Sequence, residues 1–346
     1  MGFLTHAISV LIAVIAIAFT VFVNYPPPPE SPILYQWRTS GKYYEFNGYD
    51  IFYKDEFGKG NELINATILC LHGFPTSSFD FYKVWPHLKK TFKRVIAVDF
   101  LGLGFSSKPR YHHYSVFEQS DLVENFLKHL GIREVHVWSH DYGDTVAQEL
   151  IARQNEGKEK ITLKSVSMMN GGIFPGIYRP FLVQKVFHFE HLNCSKQLIF
   201  CLQLLRFPII GTILGKLANY YMFSTNIISV FGEETCPTVA ELYDMWAIIR
   251  YNDGYRISGE ILYYMDERHM NEDRWVGALK ETKIKIHFIY GALDPINPES
   301  FVDFYKKIIP NPIIDVLRNC GHYPHLELPD IVFNLYQKFI RNHILS

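Results

Sequence analysis

The sequence has little cysteine, and none of its cysteines is paired in a motif. The chain of 346 residues contains Cys70, Cys194, Cys201, Cys236 and Cys320, with no C-x-x-C spacing among them. Disulfide-stapled domains and structural zinc sites use closely spaced cysteines. The sequence therefore predicts neither a disulfide framework nor a zinc centre. Cys70 lies in an apolar run, which predicts a buried free thiol.

An excess of charge of either sign is lacking too. The formal net charge is −1 and charged residues make up 20% of the chain, so no basic surface for nucleic acid is predicted. Internal repeats are absent, and the only low-complexity tract is the run of prolines Pro26–Pro29. Hydrophobic residues reach 48%, which allows one large α/β domain with an insertion, or two domains.

The N-terminal segment lacks charged side chains. From Phe3 to Val23 there is no Asp, Glu, Lys or Arg, and about 20 apolar helical residues span a bilayer core. A cleaved signal peptide would have a basic start, a shorter apolar run and a small-x-small exit, whereas this run leads into four prolines. We therefore predict an uncleaved single-pass anchor at residues 1–25, with residues 3–23 in the membrane. A stiff Pro-rich spacer is predicted at residues 26–42.

The positive charges nearest to this segment favour one orientation. Arg38 and Lys42 are the first basic residues after the apolar run, and only the α-amino group precedes it. The positive-inside rule then favours a cytosolic catalytic domain. Two sequons begin at Asn65 and Asn193, and they would be glycosylated only if the domain were luminal.

Beyond the spacer, short apolar runs alternate with amphipathic segments. The apolar runs predict strands at Tyr43–Phe46, Tyr49–Lys54, Thr67–Leu71, Arg94–Asp99, Glu134–Trp138, Leu163–Met169, Lys285–Tyr290 and Ile313–Leu317. The amphipathic segments predict helices at Phe79–Lys90, Ser115–Leu130, Tyr142–Arg153, Pro298–Ile309 and Pro329–Ile344. This alternation predicts an α/β fold with a mostly parallel eight-stranded sheet and helices on both faces.

The alternation stops between Phe174 and Trp275. This stretch has helix-like and aromatic-rich segments but no convincing buried strand, and it lies between the sixth and seventh predicted strands. Ligands bind at the carboxyl edge of a parallel sheet, where this stretch begins. We therefore predict a helical lid at residues 174–275, between core segments 43–173 and 276–346. An ordinary second domain is the alternative.

The fifth predicted strand leads into Ser139-His140-Asp141-Tyr142-Gly143. This small-x-Asp-x-small pattern matches the nucleophile elbow G-x-S-x-G of α/β-hydrolases, with Asp in place of Ser. A carboxylate at the tip would attack an electrophilic carbon and form an alkyl ester. The alternative is that Asp141 only caps the helix that begins at Tyr142.

Two further polar residues follow predicted core strands. Asp294 comes after the seventh strand and His322 after the eighth, which gives the chain order nucleophile, acid, histidine. Asp294 is predicted to orient His322, and His322 to activate water as a general base. Each residue alone would more often be structural, but three at the ends of core strands indicate a catalytic site.

The loop after the third strand reads His72-Gly73-Phe74-Pro75. Gly73 allows close backbone approach, and Pro75 sets the direction of the loop. The backbone N–H groups of Phe74 and Tyr142 are predicted to form the oxyanion site. His72 is predicted to hydrogen-bond within the loop, because no metal-binding spacing accompanies it. No metal and no cofactor are predicted.

The elbow Asp, the His-Gly-x-Pro loop and the late Asp and His resemble the epoxide hydrolase and haloalkane dehalogenase branch of the α/β-hydrolase superfamily. Within that branch, the chain from about Pro26 onward resembles the mesoderm-specific transcript protein family. The phrases that carry this resemblance include 71–78, 94–102, 113–115, 139–144, 170–175 and 274–279. The resemblance implies a membrane-associated hydrolase of the endoplasmic reticulum that is linked to fat storage, and it leaves the substrate open.

Departures from the branch favour one reaction. Phe74 and Tyr142 stand where dehalogenases commonly hold the halide with Asn and Trp, so dehalogenation is not expected. Epoxide hydrolases use lid tyrosines to protonate the departing oxygen. The candidates here are Tyr264, Tyr221 and Tyr178, although the N-W-Y-R phrase of many soluble epoxide hydrolases is missing.

We therefore expect a membrane-anchored hydrolase that uses Asp141 on a lipophilic small molecule, with an epoxide as the favoured substrate. A lipid esterase or acyltransferase is the first alternative, with Ser139 as the hydroxyl in the elbow. A non-catalytic lipid-binding protein that has kept the hydrolase fold is the second. The oligomeric state is left open.

Overall fold

The computed structural model describes residues 2–26, 28–59, 64–177, 179 and 219–345. Its strands are β1 (Lys42–Phe46), β2 (Tyr49–Phe57), β3 (Ile64–Leu71), β4 (Phe92–Val98), β5 (Glu134–His140), β6 (Thr162–Met169), β7 (Lys285–Gly291) and β8 (Ile313–Leu317). Its α-helices are Gly2–Val23, Pro32–Thr39, Trp85–Thr91, Val116–His129, Tyr142–Asn155, Tyr220–Ile228, Val239–Arg250, Ser258–Ile261, Tyr264–Met270, Glu272–Glu281, Ser300–Ile308, Pro324–Glu327 and Pro329–His343.

The eight strands form one sheet in the order β1-β2-β4-β3-β5-β6-β7-β8. Strands β1 and β2 pair antiparallel, as do β2 and β4, and all the other neighbours pair parallel. This is the α/β-hydrolase fold, as predicted. Because β3, β5, β7 and β8 run parallel, the loops that follow them open on the same edge of the sheet.

Alternate residues of the central strands pack on opposite faces of the sheet. Along β3, Leu69 and Leu71 belong to one buried cluster, whereas Ile68 and Cys70 belong to another. A strand covered on both faces is apolar at successive positions, which is why these strands were recognisable as apolar runs. Cys70 is a fully buried free thiol, as predicted.

The predicted helix Phe79–Lys90 is wrong as a continuous element. A 3₁₀ turn spans Ser78–Phe81, and a separate helix begins only at Trp85. Pro86 lies in the first turn of the second helix, where its missing N–H has no intrahelical acceptor to lose. Ser77 caps the 3₁₀ turn by accepting a hydrogen bond from Phe79 N–H at 3.2 Å.

The helix Val116–His129 begins as its sequence indicates, but without the full capping box. Ser115 is the N-cap, and its Oγ accepts a hydrogen bond from the Phe117 N–H at 3.1 Å. Glu118, three residues after Ser115 at the spacing of a capping box, instead contacts His112 Nε2 at 2.7 Å. A complete capping box is formed by Thr238 and Glu241 at the start of the helix Val239–Arg250.

Between 219 and β7 the described part of the insertion consists of helices joined by turns and short loops, without a strand. Residues 180–218 of the predicted lid, as well as Tyr178 and Asn193, lie outside the described residues. The insertion is joined to the core through Glu267, which accepts from the Ser115 hydroxyl at 2.6 Å and the Val116 N–H at 2.8 Å. The helix Tyr264–Met270, which carries Glu267, is thereby held against the core.

The central part of the helix Gly2–Val23 is not covered by any of the described residues. Its window Thr5–Phe22 has a mean hydropathy of 2.3 and is 0% buried, so length and composition allow it to cross a membrane. The chain after it is joined to the insertion. Asp244 accepts from the Ser31 N–H at 2.9 Å and the Ser31 hydroxyl at 2.6 Å, and Arg250 donates to the Tyr25 carbonyl at 3.2 Å.

Candidate active site

The turn between β5 and the helix Tyr142–Asn155 holds Asp141 in an unusual backbone conformation. Its φ is +48° and its ψ is −106°, a combination that residues with a side chain rarely adopt. The turn is crowded because a Cβ on Gly143 would lie 2.4 Å from the Leu71 carbonyl oxygen. Only glycine fits there. The Gly143 N–H donates to the His72 carbonyl at 3.0 Å, which ties the elbow to the loop after β3.

The Asp141 carboxylate is not engaged as the N-cap of the helix that it precedes. It makes no side-chain capping hydrogen bond, so the alternative of a simple helix cap does not describe it. Oδ2 accepts from the Phe74 N–H at 3.0 Å. Oδ1 lies 4.0 Å from His322 Nε2 and 3.9 Å from Arg268 Nη2. One oxygen is therefore held by the backbone, and the other faces two cationic groups.

The loop after β3 supplies the donor to Oδ2. A Cβ on Gly73 would lie 2.8 Å from the Asp141 Cβ, so glycine is required for this approach. His72 is fully buried, donates from Nδ1 to the Gly73 carbonyl at 2.8 Å, and accepts at Nε2 from the Phe100 N–H at 3.1 Å. Burial lowers the pKa of His72, which keeps the ring neutral and suited to both bonds.

The second predicted donor, the N–H of Tyr142, belongs to the first residue of the helix. N–H groups in the first turn of a helix have no intrahelical acceptor and point toward its N-terminal end. Asp141 lies directly at that end. The Tyr142 side chain is fully buried and packs against the rings of Phe100 at 5.2 Å and Tyr264 at 4.7 Å.

Asp294 and His322 come together at the ends of β7 and β8. His322 Nδ1 lies 2.9 Å from Asp294 Oδ2, and both side chains are almost completely buried. Burial alone lowers the pKa of His322, but the negative charges of Asp294 and Asp141 outweigh it and raise the pKa to about 9. At neutral pH the ring is therefore an imidazolium between two carboxylates.

Two asparagines that the motif search did not assign hold Asp294 in place. Its Oδ2 accepts from Asn170 Nδ2 and from Asn297 Nδ2, each at 2.9 Å, and its Oδ1 accepts from the Ile296 N–H at 2.8 Å. Asn170 directly follows β6 at a φ of +49°. Its position at the end of a core strand is the signal that could have identified it.

The insertion adds two residues from the helix Tyr264–Met270. Tyr264 is fully buried, and its ring lies 4.7 Å from that of Tyr142 and 6.4 Å from that of Phe74. Arg268, one turn later, was missed by the sequence analysis. Its Nε donates to Thr145 Oγ1 at 2.8 Å and its Nη2 to the Asp141 carbonyl at 3.4 Å. The four-residue spacing places Arg268 on the same helix face as Tyr264, but it does not relate that face to Asp141.

The structure does not bring the second tyrosine candidate, Tyr221, to the site. Tyr221 is 77% exposed and lines a surface groove of about 960 Å³ beside Tyr25 and the prolines of the spacer. The prediction that it is a donor to substrate is therefore not supported by its position. Tyr178 lies outside the described residues.

Ser139, the hydroxyl of the esterase alternative, is packed inside the elbow. It is fully buried, and its Oγ donates to Asp144 Oδ1 at 2.5 Å. Burial raises the pKa of Asp144 well above its ordinary value, against the effect of this bond and of the Gly171 N–H. The Ser139 hydroxyl is therefore engaged with Asp144 inside the elbow. It is not part of the site formed by the Asp141 carboxylate and the Phe74 N–H.

Among the described residues, the candidate metal ligands are Asp80, His140 and His325, which are all buried. Their ligand atoms all lie within 4.8 Å of one another. His140 Nε2 also donates to the His322 carbonyl at 2.7 Å. His140 therefore has only Nδ1 left to offer to a metal ion. Burial lowers the pKa of His325 to about 3, so its ring is neutral.

Comparison with known proteins agrees with this architecture. Residues 66–171 match the family described as alpha/beta hydrolase fold. The chain is 45% identical to the mesoderm-specific transcript protein of Mus musculus and 44% identical to its homologue in Homo sapiens. Both alignments cover 93% of this chain and 92% of the relative.

Among solved structures, the Cif epoxide hydrolase from Acinetobacter nosocomialis superposes with a TM-score of 0.67 and 18% identity. The superposition covers 92% of this chain and 99% of that protein. At this identity the likeness shows the fold alone. The long alignments with the mammalian proteins show the family, and this chain belongs to the mesoderm-specific transcript protein family, with an α/β-hydrolase fold.

Proposed function

We propose that this protein is a membrane-anchored hydrolase that opens a lipophilic epoxide through a covalent ester on Asp141. The observation that carries the proposal is the environment of the Asp141 carboxylate. Its Oδ2 is held by the Phe74 N–H at 3.0 Å, and its Oδ1 lies 4.0 Å from a histidine that is itself bonded to Asp294. These contacts support the assignment of Asp141 as nucleophile, His322 as base and the Phe74 N–H as oxyanion donor.

In the first step, Asp141 Oδ1 attacks an epoxide carbon and the carbon–oxygen bond of the ring breaks. The electron pair of that bond leaves on the oxygen, which takes a proton from a phenol. Tyr264 is the described tyrosine placed beside the elbow, with its ring 4.7 Å from that of Tyr142. Oδ2 stays with the Phe74 N–H and becomes the carbonyl oxygen of the ester.

In the second step, His322 takes a proton from water and the resulting hydroxide attacks Cγ of Asp141. Negative charge then develops on Oδ2, where the Phe74 N–H already donates and the Tyr142 N–H is the expected second donor. Collapse of the intermediate breaks the Cγ–Oδ1 bond, so Oδ1 leaves on the alkyl carbon, takes a proton from His322 and becomes a hydroxyl of the released diol. One oxygen of the regenerated carboxylate comes from water.

The raised pKa of His322 suits this sequence of steps. The charge on Asp141 is one of the causes that hold the pKa near 9, and ester formation removes that charge. The imidazolium therefore gives up its proton more readily once the ester has formed. The net proton taken by the departing oxygen can be supplied by His322, which leaves a neutral ring ready to act as the base.

The decisive experiment is trapping of the ester. Full-length His322→Gln protein, incubated with a panel of lipophilic epoxides, should accumulate an adduct on the peptide that contains Asp141, because the second step lacks its base. Intact mass and peptide mapping measure the adduct. The matched control is Asp141→Ala in the same background, which should show no adduct. No adduct from any epoxide in a folded His322→Gln protein would count against the proposal.

A single turnover in ¹⁸O-labelled water checks the order of events. If water attacks the ester, the wild-type protein should carry the label in Asp141 after one turnover, and the first diol released should not carry it. Label in that first diol would show direct attack of water on the epoxide and would remove the covalent step from the mechanism.

The rival serine mechanism meets a specific obstacle. Ser139 is buried and donates to Asp144, so it would have to break that bond and turn before it could attack an ester. We expect a fluorophosphonate probe to leave Ser139 unlabelled in the folded protein, measured by peptide mapping. Labelling that disappears in Ser139→Ala would revive a lipid esterase or acyltransferase.

The proposed location is the membrane of the endoplasmic reticulum, with the catalytic domain on the cytosolic side. The helix Gly2–Val23 supports a single anchor, and the family supports the compartment by resemblance. Asn65 is exposed and begins a sequon, so it reports on the side of the membrane. Expressed in mammalian cells, the protein should show no endoglycosidase-sensitive shift in mass, and a shift abolished by Asn65→Gln would place the domain in the lumen.

A further inference from the structure

The helix Tyr264–Met270 brings a buried cation to the nucleophile. Arg268 is 2% exposed, and its Nη2 lies 3.9 Å from Asp141 Oδ1. The guanidinium also lies 4.6 Å from the centre of the Tyr264 ring, one helical turn away. The insertion therefore presents a phenol and a guanidinium side by side, next to the oxygen proposed to attack.

The guanidinium is held in place by the elbow itself. Its Nε donates to Thr145 Oγ1 at 2.8 Å and its Nη2 to the Asp141 carbonyl at 3.4 Å. Thr145 lies in the first turn of the helix that follows Asp141, so the guanidinium is positioned by the same element as the nucleophile. A donor fixed in advance stabilises developing charge with little reorganisation.

A cation this close to a nucleophilic carboxylate needs a reason. In the resting site it stabilises the charge on Asp141, which by itself slows the attack, since catalysis requires stronger stabilisation in the transition state. This loss of rate is offset only if Arg268 also stabilises the negative charge after that charge has moved away from Asp141. In ring opening that charge moves to the departing oxygen.

We propose that Arg268 binds the departing oxygen, and that it forms with Tyr264 a guanidinium–phenol donor pair for ring opening. The inference rests on the proposed function and deepens it. As the bond from Oδ1 to carbon forms, the carbon–oxygen bond of the ring breaks. Arg268 stabilises the negative charge on the oxygen while the phenol delivers the proton.

The guanidinium–phenol pair also indicates which class of substrate the site accepts. In the resting site the Arg268 guanidinium already lies 3.9 Å from Asp141 Oδ1, so it is not an unpartnered cation that would bind an anionic head group. The pair therefore suits a neutral lipid with an epoxide ring, in which the charge appears only during reaction. An anionic group placed at Arg268 would compete with Asp141 for the guanidinium.

The test measures the first step alone. In the His322→Gln background of the full-length protein, the rate of adduct formation on Asp141 is followed by intact mass after mixing with an alkyl epoxide. Arg268→Gln should slow this rate about 10²- to 10³-fold, and Arg268→Lys should recover part of the loss. The matched control is Arg256→Gln, an arginine of the insertion that pairs with Asp253 at 3.2 Å. It should leave the rate unchanged.

A second measurement separates this role from positioning of Asp141. The alkyl epoxide is compared with its trifluoromethyl counterpart, whose departing oxygen is less basic and needs less stabilisation. If Arg268 binds that oxygen, the Arg268→Gln penalty should be several-fold smaller for the fluorinated substrate. A residue that only positions the carboxylate would slow both substrates equally, and that result would overturn the inference.

The remaining outcomes are also decisive. An adduct that forms at the same rate in Arg268→Gln and Arg268→Lys as in the parent would remove Arg268 from the reaction but leave Asp141 as nucleophile. No adduct in the parent would overturn the proposed function, and the inference with it. If Arg268→Gln does not fold, as judged by its melting temperature, the substrate comparison is made on Arg268→Lys, where the same smaller penalty is expected.

Discussion

The part of the site that comes from the hydrolase core and the part that comes from the insertion are held in different ways. Asp141, Asp294 and His322 each follow a strand of one sheet, and backbone and asparagine bonds fix Asp294 from three directions. Tyr264 and Arg268 come from a single helix that is joined to the core through Glu267 and Thr145. The core thus positions the proposed nucleophile and base, and the insertion positions the proposed donors to the departing oxygen.

Removal of the Asp141 carboxylate is expected to have the largest effect on activity. Asp141→Ala should reduce turnover by at least about 10³-fold, because both proposed steps use that carboxylate. Alanine keeps the strained backbone, so the fold is expected to be unchanged, and unlike Asn it cannot be hydrolysed back to Asp. Steady-state kinetics and circular dichroism check both points. Residual turnover within tenfold of wild type would move the reaction away from Asp141.

Next in size is the loss of the carboxylate that orients His322. Asp294→Asn should slow hydrolysis of the ester by about 10²- to 10⁴-fold, because the ring loses the partner that fixes its orientation. It should also lower the pKa of His322 from about 9, since Asp294 is the largest of the causes that raise it. Single-turnover kinetics against pH measure both changes. Ester formation should be affected less, and an equal loss in both steps would indicate general disruption of the site.

The contribution of the insertion to the site is tested by substituting two of its tyrosines. Tyr264→Phe should slow ester formation by about 10- to 10²-fold, because the departing oxygen loses its proton donor. Tyr221→Phe is the matched control, since Tyr221 is 77% exposed in the groove beside the spacer. Rapid-quench measurement of the adduct compares the two. A larger effect from Tyr221 would mean that the insertion closes differently when substrate binds.

The smallest expected effect is on stability, and it belongs to the core half. The pKa of His322 is raised above its unfolded value, so the stabilisation is complete below about pH 6.5 and is lost as pH rises through about 9. The free energy of unfolding of the wild type, relative to His322→Gln, should therefore fall over that range by up to roughly 3 kcal/mol. Urea unfolding at several pH values measures it. A difference that grows with pH would contradict the assigned charge.

The core half was largely predictable from the sequence. All eight strands were predicted near their observed positions, because the central strands are apolar on both faces. The elbow and the loop after β3 were also recognisable, because Gly143 and Gly73 lie where only glycine fits. The prediction of one helix over Phe79–Lys90 was wrong, because the helical periodicity of the sequence continues across the break before Trp85. Pro86 lies in the first turn of a new helix.

The insertion half was not predictable in the same way. Arg268 lies in a segment with Asp266, Glu267 and His269, where a charged residue resembles one on a solvated helix face. Its burial against Asp141 results from packing between segments more than a hundred residues apart, and no local spacing encodes that contact. Asn170 was overlooked because an amide after a strand also suits an ordinary turn.

The backbone of Asp141 has an evolutionary consequence. A φ of +48° with a ψ of −106° costs an aspartate about 1 kcal/mol or more, whereas glycine adopts such angles readily. Asp141→Gly should therefore give an inactive protein with a higher melting temperature than Asp141→Ala. A single nucleotide separates the codons for aspartate and glycine, so a lineage that no longer used this carboxylate could gain stability in one mutational step. Asp141 is therefore a position at which the protein retains a carboxylate side chain at the expense of stability.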